Sequence, residues 1–277
     1  MIRLLLAALT LCLVAPAWAQ VNLRLELGRD RFLLYESMPA TVEISSYAAG
    51  EVRLEDEETM PWLRFDIARD NGEHIGMVGP GFLAGTTTLA GRQSIARSVD
   101  LVAYYKIREA GRYRIRAWVK LAGYGGTFAS SQKVIEVVGG HQLLTKTIGV
   151  KDESGKETLC TFSVIEVLLA PHSWLYARVE DQQSGVIYGV IPLGEWVTFS
   201  APRAETDKDG NFHVLHQAQP REYHYSVVTP KASVMKRETF SNYNSLPNFT
   251  RTRDGQIKVV GGEAMGRPAP PPAPRSP

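Results

Sequence analysis

The chain has 277 residues, 44% of them hydrophobic and 22% charged, and its 31 basic and 29 acidic side chains leave a formal charge of +2. It is long enough for one large or two medium cores, and two folded units are the natural expectation. Charges this evenly balanced exclude the concentrated positive field that nucleic acid or an anionic membrane surface would need.

The chain opens as an export signal. Met1-Ile2-Arg3 supplies a positive start, residues 4–14 an apolar run, and Ala17-Trp18-Ala19 the small-x-small pattern that precedes cleavage, so cleavage is expected before Gln20. The apolar run falls short of the roughly 20 residues that span a bilayer, which sets an uncleaved anchor below a cleaved signal. Cys12 lies too early in that run for lipid attachment and follows Leu11 rather than a small residue. With residues 1–19 removed, the protein is expected to be secreted or periplasmic, with no stable transmembrane segment. It then keeps one cysteine, Cys160, and has no internal disulfide to staple it.

From residue 20 the chain reads as strands. Period-two alternation recurs over residues 22–27, 40–45, 51–54, 113–121, 132–138, 174–179, 212–216, 222–228, 234–240 and 256–260, separated by Gly, Asp, Asn, Ser and Pro. No stretch longer than two turns keeps a helical apolar stripe. The expected fold class is all-β.

The first half carries more grammar than alternation alone. In GRYRIRAWVKL, Ile115, Ala117 and Val119 alternate with Arg114, Arg116, Trp118 and Lys120, placing small aliphatic residues on one face and charge on the other. Gly111-Arg112-Tyr113 offers a tight turn followed by a tyrosine at a strand start, where a hydroxyl can tie back to the preceding corner. Upstream, LELGRDRFLLYESMPATVEISS supplies a leading strand, a polar turn and an alternating strand; downstream, TFASSQKVIEVVGG supplies a closing one. On these residues, 20–140 resembles the bacterial immunoglobulin-like sandwiches of the fibronectin or macroglobulin type. That resemblance implies a fold and carries no activity of its own.

The second half, residues 141–262, contains near-repetition. PRAETDKDGNFHVL from Pro202 and PNFTRTRDGQIKVV from Pro247 lie 45 residues apart, each with Asp-Gly at the same place, Asp209-Gly210 and Asp254-Gly255. Asp-Gly is a hairpin turn because glycine accepts positive φ and aspartate bonds to the backbone ahead. Further back, Tyr176, Val179 and Ser184 align with Tyr225, Val228 and Ser233, at an offset of 49 that costs a four-residue deletion. Phe212 with Val214, and Ile257 with Val259, are then expected to face one core. Units of this size with four strands resemble the blades of Asp-box or sialidase-like propellers. The Asp-box tryptophan and serine are missing, and two units cannot close a ring, so a plain pair of β-meanders stands equally beside the blade reading. Residues 263–277 end in GRPAPPPAPRSP, which favours polyproline II and is expected to be a disordered tail.

Candidate chemistry is sparse. Cys160 lies in the apolar run TLCTFSVIEVLLA and reads as a buried structural thiol. Asp207, Asp209 and Asn211 alternate as in a calcium loop, without the glutamate such a loop needs at its twelfth position. His213 and His216 would point to opposite faces of a strand, so these two and His224 read as turn or surface histidines rather than metal ligands. Glu55-Asp56-Glu57-Glu58 reads as a solvated loop, and Met60, Trp62 and Phe65 beside it as core rather than an interaction edge. No catalytic, cofactor-binding or metal residue is assigned. The expectation is an exported, non-enzymatic protein that binds a protein or glycan partner in the envelope or outside the cell, with oligomerisation left open. A carbohydrate-related protein with a partial propeller, and an immunoglobulin-like protease inhibitor, remain alternatives.

Overall fold

The computed structural model describes residues 21–265 apart from 48–49, 58–59, 80–81, 83, 123–125, 152–154 and 156. The expected signal sequence of residues 1–19 and the proline-rich segment from Gly266 lie outside the described residues. All ten stretches read as strands are strands, and the architecture is all-β.

The first half runs β1 (Val21–Glu26), β2 (Arg31–Leu33), β3 (Pro39–Ser46), β4 (Val52–Leu54), β5 (Leu63–Arg69), β6 (Thr87–Leu89), β7 (Ser94–Asp100), a four-residue helix α1 (Leu101–Tyr104), β8 (Gly111–Lys120), β9 (Thr127–Ala129) and β10 (Lys133–Val138). Sheet β1-β3-β7 faces sheet β2-β10-β8-β5, β9 pairs with β8, and β4 and β6 form a separate ribbon. Alternation along β8 is as the sequence dictates: Ile115, Ala117 and Val119 are fully buried and join Leu25, Val42, Ile44 and Trp62 in one apolar cluster. Each such side chain removed from water contributes roughly 1.5–3 kcal/mol against the entropy of ordering the chain. The tyrosine corner forms, with Tyr113 donating its hydroxyl to the Glu109 carbonyl at 2.7 Å. Trp62 and Phe65 are core, whereas Met60 is 42% exposed. The acidic run is not simply a solvated loop, because Asp56 accepts from the backbone N–H groups of Trp62 and Gly85 and so closes it.

The second half continues with β11 (His141–Lys151), β12 (Glu157–Leu169), β13 (His172–Asp181), β14 (Ile187–Trp196), β15 (Arg203–Thr206), β16 (Phe212–Gln219), β17 (Glu222–Val228), β18 (Val234–Ser241), β19 (Asn248–Arg251), β20 (Ile257–Val260) and β21 (Glu263–Ala264). The sheets are β11-β12-β13-β14, β15-β16-β17-β18-β21, and the hairpin β19-β20. They lie face to face. Phe162 stacks on Phe212 between the first two sheets, centroids 4.9 Å apart, and Phe249 of the hairpin meets Tyr225 on the far face of the second.

Both Asp-Gly pairs are hairpin turns built alike. Asp207 N–H donates to Asn211 and Gly210 N–H to Asp207; 45 residues on, Thr252 donates to Gln256 and Gly255 to Thr252. Gly210 and Gly255 have φ of 79° and 80°, which an L side chain resists. The two turns touch, through Lys208 N–H to the Gly255 carbonyl and Gln256 Nε2 to Asp209 Oδ2. Gly155, between β11 and β12, likewise has a positive φ of 82°.

Two expectations are corrected. Phe212 and Val214 lie between the first two sheets, while Val259 lies between the second sheet and the hairpin, so these residues serve two cores rather than one. Val179 and Val228 meet in the same core from opposite sheets, whereas Tyr176 and Tyr225 lie on opposite outer faces. Blades stacked in one sense would turn equivalent residues the same way, so these two sheets close on each other as a sandwich instead. Glu263 and Ala264, expected in the tail, instead pair with Ser241 and Phe240.

The halves are joined by Gly139-Gly140 alone, and they pack. Leu33, Tyr35 and Val138 lie against Ile165, Val167, Trp174 and Tyr176. Arg29 reaches Tyr176 Oη at 3.1 Å, pairs with Glu36, and lies over the Phe32 ring at 4.2 Å.

Candidate functional site

A cleft of about 690 Å³ opens between the halves. One wall comes from the turn before β3, Val78, and the segment from Asp100 to Arg108; the other from Ser184 to Val190, where β14 begins. Asp100 sets the first wall: its carboxylate accepts from Met38 N–H and Val102 N–H, capping α1. The second wall is fixed by Asp181, which accepts from the N–H groups of Gln183 and Ser184 and from the Tyr188 hydroxyl. Those bonds hold the Asp181 carboxyl below the ordinary carboxylate range.

Among the described residues β14 is an edge strand, paired with β13 on one side and with no strand on the other, while Arg237 Nη2 takes the Pro192 carbonyl further along it. An edge presents unpaired backbone donors and acceptors. Apolar side chains flank it: Val186 is 53% and Tyr188 48% exposed, and across the cleft Met77 and Val78 are 36% and 38% exposed. Among the lining residues the one carboxylate is Asp100, already engaged by backbone, and the one basic side chain is Arg108. Nothing here provides the converging pair of carboxylates that glycoside hydrolysis uses.

The histidines are neither turn nor surface residues. All three lie on β16 and β17, with His213 4% and His216 1% exposed, because the layers of the second half cover both faces of β16. His213 and His216 do point to opposite faces. His213 bridges Asp207 Oδ2 at 3.0 Å and Tyr225 Oη at 2.7 Å on the hairpin side. Burial alone would raise the Asp207 carboxyl, but hydrogen bonds from Asn211 and His213 hold it below its ordinary value. Burial pushes the Tyr225 hydroxyl up to about 12. An acid, an imidazole and a hydroxyl in sequence suggest a proton relay, yet all three are buried and the Asp207 oxygens are filled by Asp209 N–H, Asn211 and His213. This network locks the Asp-Gly turn onto β17. The two Asp207 oxygens are thus turned to protein donors, and Asp209 Oδ2 to Gln256 Nε2, rather than to a common ion.

On the other face His216 stands in register with His224, ring centroids 5.5 Å apart. Burial and the neighbouring His224 and Arg237 lower the His216 pKa to about 3. The folded value lies below the unfolded one near 6.5, so the unfolded chain binds the extra proton between the two. Stability from this residue is therefore complete above about pH 6.5 and lost as pH falls towards 3, up to ~4 kcal/mol. Replacing His216 by Leu should flatten the dependence of unfolding free energy on pH between 6.5 and 4, measured by urea titration; an unchanged slope would refute the assignment. Cys160 is 3% exposed, and burial, then Asp181 and Glu180, push its thiol up to about 11, which makes it an inert core residue.

Comparison with known proteins adds little. No family model matches the chain, and no curated protein matches it. Among solved structures, the periplasmic chaperone SfaE aligns over 78% of this chain and 97% of its own, at 7% identity and a TM-score of 0.26, a superposition too loose to carry an argument. No helix among the described residues is long and apolar enough to cross a membrane.

Proposed function

We propose that this is an exported, non-enzymatic protein that holds an extended segment of a partner protein in the cleft between its halves, as a fifth strand on the edge of β14. The observation that carries the reading is that the cleft's wall is itself the edge of a sheet. Main-chain pairing to such an edge supplies affinity independent of sequence, and pockets for alternate side chains supply preference. Val186 and Tyr188 on one side and Val78 on the other would take apolar residues of the incoming strand. The N-terminal segment read as an export signal supports a partner in the envelope or outside the cell. A glycan is the weaker reading, because a free backbone edge has no special use for a sugar.

A photoreactive phenylalanine analogue at Tyr188, introduced in the producing cell, should give a discrete protein adduct. The same probe at Tyr47, 63% exposed at the end of β3 remote from Asp100, should give none. Equal adducts at both positions, or none at Tyr188, would refute the cleft as the binding site.

A further inference from the structure

The row His216, His224 and Thr239 runs across β16, β17 and β18 on the face turned to β14. Opposite it stands Gly194, where an added Cβ would sit 2.9 Å from His224 Nδ1 and 3.7 Å from His216 Nε2. No side chain fits there, and the two imidazole nitrogens converge on the notch that the missing one leaves. His224 is oriented from behind, its Nε2 2.8 Å from Glu222 Oε1. A carboxylate on the outer nitrogen of an imidazole is how metal-binding histidines are commonly held. His216 is buried, and neither of its nitrogens makes a hydrogen bond of good geometry among the described residues, although the Glu195 backbone lies near enough to act on the ring. A poorly met buried polar group is destabilising, and a ligand would relieve it.

We propose that His216 Nε2 and His224 Nδ1 form a two-coordinate site for a monovalent soft cation, copper(I), in the notch over Gly194. Two donors are what the site offers: among the described residues no three His, Cys, Asp or Glu side chains gather to hold an ion, and tetrahedral zinc would lack half its ligands. A filled-shell monovalent ion accepts two donors nearly in line. With metal–nitrogen bonds of about 2 Å, two imidazoles bound that way have centroids roughly 6 Å apart, close to the 5.5 Å found. Arg237 lies on the same face one row away, its Nη2 on the Pro192 carbonyl and its Nη1 unpaired. Its charge opposes a divalent ion twice as strongly as a monovalent one. The His224 side chain is 22% exposed and gives the route in.

The test uses the chain from Gln20 with Cys160→Ala, which removes the competing thiol. Under anaerobic conditions this protein should withdraw one equivalent of copper(I) from its coloured bicinchoninate complex, and X-ray absorption should show two nitrogen neighbours at about 2 Å. His224→Gln should weaken retention at least 100-fold with the far-ultraviolet dichroism unchanged, while His172→Gln, at the exposed start of β13, should have no effect. Failure of the folded Cys160→Ala protein to withdraw copper(I) overturns the proposal, and needs no further variant. Retention unaffected by His224→Gln, or His224-dependent uptake of zinc(II) in place of copper(I), overturns it equally.

Discussion

Replacing Arg29 by Met should lower stability at pH 7 by about 3–5 kcal/mol, because it leaves the Glu36 carboxylate buried without its partner. The side chains of Arg29 and Glu36 are each 6% exposed. Burial pushes Glu36 above the ordinary carboxylate range against the pull of Arg29, while Arg29, which burial alone would lower, is held above its ordinary value by Glu36. The guanidinium also bonds the Tyr176 hydroxyl and covers Phe32, so its loss opens the contact between the halves as well. By contrast Arg24–Glu26, with side chains 69% and 53% exposed, should contribute well under 1 kcal/mol. The check is a thermal melt of Arg29→Met, Glu36→Leu and the double variant: both singles should melt about 10 °C lower, and the double should recover much of the loss. A single-variant loss below 1 kcal/mol would show that the pair is not buried in solution.

Gly140→Val should be comparably damaging, by a different route. An ideal Cβ at Gly140 would lie 2.4 Å from Ile165 Cγ2 and 2.9 Å from the Glu166 carbonyl oxygen, and the residue sits at φ of 69°. The backbone oxygen cannot rotate away, so the joint between β10 and β11 must open. A β-branched residue at that φ adds about 1–3 kcal/mol of strain. Gly139→Ala is the control: nothing lies within 4 Å of its Cβ position and its φ is unrestricted, so its melt should match the wild type. If Gly140→Val also matches, the halves do not pack as described.

What was legible in the sequence was what alternation and turn chemistry encode locally. β8 declared both faces, and Gly111-Arg112-Tyr113 declared its corner, because a strand with one wet face must alternate. β12 and β16 hid their roles for the opposite reason: layers cover both faces, so every residue from Phe212 to Ala218 is buried and His213 and His216 resemble nothing in a core. The repeat was visible through its two Asp-Gly pairs, Asp209-Gly210 and Asp254-Gly255. The direction each copy faces was beyond reach, because facing is set by how sheets meet rather than by the residues of one strand. β14 was equally silent. An edge is a property of what does not pair with a strand, and Ile187 to Trp196 look the same whether or not a neighbour lies beside them.

The hairpin β19-β20 turns Phe249 and Val259 inward and presents Asn248, Thr250 and Lys258 to solvent. Sheets laid one upon another have no inherent stopping point, and a sticky last layer would invite the first layer of a neighbouring molecule and so begin a fibre. Asn248, Thr250 and Lys258 make that final surface largely polar, with Val260 its apolar exception at 46% exposed, and so oppose such growth.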